Sequence, residues 1–75
     1  MHWFEAVTIK AGPGMMQGVS SVEAALEVMR VWPVKPKLRA AYLACAEVLD
    51  GIGTVEAARE AFVAAAREAG VLREG

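Results

Sequence analysis

This chain has little of what chemistry at a protein site usually requires. It holds one histidine, one cysteine, one aspartate and no asparagine. A single cysteine cannot close an internal disulfide, so nothing points to an oxidising compartment and the fold has to hold without a covalent staple. Zinc needs three or four His, Cys or carboxylate ligands, and His2 with Cys45 cannot supply them, so no metal site and no cofactor is expected. His2 stands beside a terminus that tends to fray, which makes it a poor base or ligand. Cys45 is flanked by Ala44 and Ala46 on the apolar side of a helical segment, where a thiol has a raised pKa and acts as core filler. Ser20, Ser21 and Thr54 read as helix caps, with no histidine or lysine placed to activate them. No catalytic residue is therefore assigned, and an enzyme is not expected.

An excess of one charge is also missing. Eight basic residues face nine acidic ones, a net charge of -1, which gives no general attraction to nucleic acid or to an anionic membrane. No apolar run approaches the roughly 20 residues that span a bilayer, and the first residues lack the basic start and apolar block of a secretory signal. The expectation is a cytoplasmic protein with no membrane partner. The glycines at 12, 14 and 18 lack the Gly-Lys-Ser/Thr and the following helix of a phosphate-binding loop, so they read as a turn.

What is present is apolar. Hydrophobic residues make up 56% of 75 residues, enough for a single small domain over residues 1–75, although a chain of this length buries only about 60% of its unfolded surface. Much of that fraction is alanine, so the core must lean on Trp3, Phe4, Ile9, Leu26, Met29, Trp32, Leu38, Tyr42, Leu49, Phe62 and Leu72.

Val7, Thr8 and Ile9 favour a strand that runs into the turn signals Gly12, Pro13 and Gly14. A return strand over about Met15 to Val19 completes a hairpin with Val7, Ile9 and Val19 facing inward. Ser20 and Glu23 have the spacing of a capping box that opens a first helix, which Pro33 ends. Trp32 to Lys37 reads as a stiff connector with Pro36 in the first turn of a second helix, about Lys37 to Asp50, capped by Gly51. Thr54 caps a third helix, which stops at Gly70, with Phe62 as its main anchor. The predicted class is α+β, an N-terminal two-stranded antiparallel β-hairpin packed on three α-helices, ββααα.

Several residues in this order resemble a known family. They are Glu23-Ala24-Ala25, Trp32-Pro33, Tyr42 with Ala44-Cys45, Gly51, and Ala58-Arg59 with Phe62 and Ala65-Ala66 leading into Glu68-Ala69-Gly70-Val71-Leu72. The resemblance is to the small bacterial proteins grouped as domain-of-unknown-function family number 982. It implies a compact domain over nearly the whole chain and brings no catalytic or binding residues with it.

Two features suggest a surface with a use. On the second helix the polar residues Arg39, Glu47 and Asp50 occupy a strip of only roughly 80° at about 100° per residue, and Leu43 lies inside it. Such a helix is either central or covered by another chain. Arg30, Lys35, Lys37 and Arg39 are four bases with no acid between Glu27 and Glu47, and beside Trp32 and Tyr42 they could meet a phosphate-rich partner. The sequence thus favours a non-enzymatic protein-interaction or regulatory module, self-association included. A partner surface would comprise Arg30, Lys35, Lys37, Arg39 and Leu43, with Phe4, Met15 and Met16 exposed on a hairpin whose open edges could accept a strand. The alternative is a weak nucleic-acid binder using the basic connector, which the net charge disfavours.

Overall fold

The computed structural model describes residues 2–73. Its elements in order are β1 (Trp3–Gly12), β2 (Met15–Ser21), α1 (Val22–Met29), α2 (Pro36–Leu49) and α3 (Val55–Ala69). This is the α+β hairpin-plus-three-helices arrangement that the sequence pattern predicts.

β1 and β2 pair antiparallel, with Val7 opposite Val19, Thr8 opposite Gly18 and Ile9 opposite Gln17. Val7, Ile9 and Val19 are buried while Thr8 and Lys10 face out, the alternation of a half-covered sheet. The turn passes through Gly14 in the left-handed region at φ 70°, which a Cβ would disfavour. Between Trp3 and Val7 the register shifts, so the parity of β1 changes. Phe4 turns toward the core, and Trp3, an expected core residue, is 65% exposed.

β2 is two residues longer than expected because Ser21 pairs with Trp3. Ser20 therefore still belongs to the strand, and the cap of α1 moves to Ser21, whose Oγ accepts from the Ala24 N–H at 3.1 Å. The capping box does not close. Glu23 instead accepts from the backbone N–H of His2 at 3.0 Å and meets its imidazole Nδ1 at 2.9 Å. The Val22 N–H donates to the His2 carbonyl at 2.9 Å, so His2 is tied to the start of α1 rather than frayed.

α1 ends at Met29, ahead of Pro33, and the chain tightens through a Trp32 N–H bond to the Met29 carbonyl at 3.2 Å. The Trp32 indole then stacks on Phe62 of α3, ring centroids 5.5 Å apart. Phe4 approaches Phe62 from the sheet at 6.4 Å. The fully buried Phe62 is the centre about which sheet, connector and α3 close, with Met29, Val19, Val22 and Cys45 completing the interior. Leu49, at the last position of α2, lies beside the line of Leu38, Ala41, Cys45 and Val48 that faces the core and is 47% exposed.

Both long helices stop at left-handed glycines. Gly51 and Gly70 have φ near 80° and 76°, and the amides of Ile52 and Val71 bond back to the Glu47 and Ala66 carbonyls, the Schellman arrangement. After Gly70 the chain returns to the sheet. The Lys10 N–H donates to the Val71 carbonyl at 2.8 Å, the Arg73 N–H to the Thr8 carbonyl at 3.0 Å, and Leu72 bridges Ile9. The outer edge of β1 is thereby occupied, which corrects the expectation that both hairpin edges stand open.

Candidate interaction surface

α2 is pinned from both sides. Leu38, Ala41, Cys45 and Val48 recur at steps of three and four and are buried, and α3 packs along them. Pro36 occupies the first turn, where its missing N–H costs nothing. The next amide, that of Lys37, donates to the Glu68 carboxylate of α3 at 3.2 Å. A carboxylate at this end also complements the helix dipole, so α3 supplies the cap that Lys35, with no side-chain capping bond, does not.

The opposite side of α2 is largely open to solvent, with the loop at Gly53 lying against it only at Glu47. Pro36, Arg39, Ala40, Leu43, Ala46 and Asp50 are exposed, with Glu47 half-buried among them. Leu43 is 62% exposed, and Val34 at 69% and Ile52 at 76% are exposed apolar residues just beyond each end of the helix. Sequence reasoning missed Val34 and Ile52. Prolines flank the first and glycines the second, and such neighbours place a residue in a connector without saying which way it points.

Of the five residues expected to share a surface, Lys35, Arg39 and Leu43 stay together while Arg30 and Lys37 lie elsewhere. Lys35 and Arg39 line one open depression of about 430 Å³ together with Val34 and Pro36, and Leu43 lies one turn beyond Arg39 on the same face. Arg30 is engaged by Glu27 on α1 at 3.2 Å. Lys37 is two positions from Arg39, about 200° around the helix, and points elsewhere. No aromatic platform joins the bases, because Trp32 is spent on Phe62 and Tyr42 is half-buried.

Two other groups bear on chemistry. Burial pushes the Cys45 thiol up to about 11, with the negative charge of Glu23 adding to the effect, and its side chain is fully enclosed. Such a thiol is unreactive in the folded state. The Glu23 carboxyl is lowered to about 2, chiefly by the His2 imidazole bond and then by the His2 amide. The pair lies 21 residues apart in sequence, and no local pattern could have revealed it. Among the described residues no group of three or more His, Cys, Asp or Glu could hold a metal ion, and no helix is long and apolar enough to cross a membrane.

No curated protein and no solved structure matches the chain. A family model described as protein of unknown function (DUF982) does match, over residues 5–73. The match takes in the whole of α1, α2 and α3, and the chain belongs to that family.

Proposed function

We propose that this chain is a small protein-interaction module that docks through the outer face of α2. The observation that carries this reading is Leu43, a large apolar side chain left in water at the middle of a helix whose opposite side is buried. Single exposed leucines are ordinary, but here the exposed Ala40 and Ala46 flank it and Val34 and Ile52 are exposed beyond either end of the helix. Large apolar side chains left exposed along one helix and at both its ends support an interaction site there. Leu43→Glu tests the reading. The variant keeps the fold, with a melting transition within about 0.5 kcal/mol of the parent, and a tagged chain carrying it no longer recovers the protein that the parent recovers from native extract. Equal recovery by both chains overturns the reading.

A second reading, a weak nucleic-acid binder, draws on the depression where Lys35 and Arg39 meet. Two bases and a net charge of -1 provide little of the field such binding needs. A fluorescent oligonucleotide whose anisotropy does not change at low salt ends it.

A further inference from the structure

We infer that the occupant of the α2 face is a second copy of the same chain, packed antiparallel about a two-fold axis through Leu43; the inference rests on the interaction reading above. The face is self-complementary about that residue. Four positions before Leu43 stands Arg39 and four after it Glu47; three before stands Ala40 and three after it Ala46. All five fall on the side of α2 away from Leu38, Ala41, Cys45 and Val48.

An antiparallel pair of α2 helices centred on Leu43 sets residue 43 − n of one copy against 43 + n of the other. The two Leu43 side chains meet on the axis. Ala40 faces the partner's Ala46, small against small, which lets the backbones approach closely enough for those leucines to pack. Arg39 faces the partner's Glu47, and the symmetry makes that pair twice. An interface in which the same patch serves both copies is the form a two-fold dimer requires.

The charges argue for a second copy rather than for packing within the chain. Arg39 and Glu47 are two turns apart on one helix, about 12 Å along its axis, too far to pair with each other. Neither side chain has an ion-pair partner among the described residues. Asp50 is likewise without one, and the same register brings it beside the partner's Lys35, which lines the depression next to Arg39. A parallel arrangement would set Arg39 against Arg39 and Glu47 against Glu47, so charge selects the antiparallel one.

Light scattering and sedimentation on the full chain, up to about 100 µM because one helix face per copy makes a modest interface, test the inference. The parent chain is expected as a dimer and Leu43→Glu as a monomer with unchanged circular dichroism. Arg39→Glu alone places four acids across the interface and Glu47→Arg alone places four bases, so each single variant dimerises at least about tenfold more weakly. Mixed in equal amounts, the two variants restore both opposite-charge pairs and form a heterodimer. A parent chain that stays monomeric overturns the second-copy assignment, and so does a dimer insensitive to Leu43→Glu or a mixture that fails to associate. Recovery of a foreign partner that is lost in Leu43→Glu, from a chain that is monomeric alone, upholds the interaction module while rejecting the homodimer.

Discussion

The Trp32 indole lies nearly parallel to the Phe62 ring, tilted by 21° with centroids 5.5 Å apart, so the connector after α1 is anchored on α3. This contact carries the connector across the domain. The outer face of α2 stays largely open to solvent, with Arg39, Ala40, Leu43 and Ala46 all exposed.

Removing the buried member of that pair is therefore expected to be severe. Phe62→Ala takes away the side chain that Phe4 and Trp32 both rest on and should cost about 3–5 kcal/mol. Trp32→Ala, at a half-buried position, should cost about 1–3 kcal/mol. Urea denaturation followed by circular dichroism measures both, and equal costs would show that Phe62 is not the hub.

Acid should weaken the contact between the N-terminal residues and α1. Glu23 titrates at about 2 in the folded chain against 4.5 as its ordinary value. A depressed carboxyl contributes stability that is fully present above the unfolded value and is lost as pH falls from about 4.5 toward 2. Melting curves at constant ionic strength should show the parent losing stability more steeply than Glu23→Gln across that window. Parallel curves would remove the interaction from the account. The pair is partly open to solvent, so added salt should shrink the difference.

The C-terminal return strand should matter out of proportion to its length. Deleting residues 71–75 removes the two bonds to Lys10 and Thr8 and the half-buried Val71 and Leu72, a loss of about 2–4 kcal/mol. Native-state hydrogen exchange should show the Lys10 amide among those most accelerated. The uncovered edge of β1 should also raise the tendency to aggregate. An unchanged exchange rate at Lys10 would contradict the pairing.

Two glycines should respond with opposite sign to the same substitution. A Cβ on Gly53 would lie 2.8 Å from the Glu47 Cβ and 3.0 Å from the Val48 nitrogen. Much of that obstruction is helix backbone that cannot step aside, so Gly53→Ala should destabilise by about 1–3 kcal/mol. Gly18, in β2, has nothing within 4 Å of the added carbon and needs no left-handed φ. Gly18→Ala should be neutral or stabilising by up to about 1 kcal/mol through the unfolded chain. Thermal melts of the two variants side by side decide the matter.

The differences between pattern and structure have local causes. The hairpin, the Pro36 start of α2 and the glycine stops at 51 and 70 were legible because each depends on a few neighbouring residues. The cap of α1 was misplaced by one position because Ser20 and Ser21 are equivalent locally, and only the pairing of Ser21 with Trp3 decides between them. Trp3 is expected inside because it is one of few large apolar side chains in the chain, and the register shift between Trp3 and Val7 that accompanies its exposure has no local signal. On the candidate surface, Leu43 inside the polar strip was readable from periodicity. That Lys35 and Arg39 share a depression while Arg30 is held by Glu27 depends on how α1, the connector and α2 meet.

Sequence alone determined the element order, the inward faces of the helices and the self-complementary order of residues about Leu43, because those follow from helical and strand periodicity and from backbone rules at proline and glycine. Tertiary structure decided the rest: His2 against Glu23, Glu68 as the cap of α2, Leu72 beside Ile9, and Trp32 on Phe62. Each of these joins residues at least 21 positions apart, and contacts at that range exist only once the core has closed.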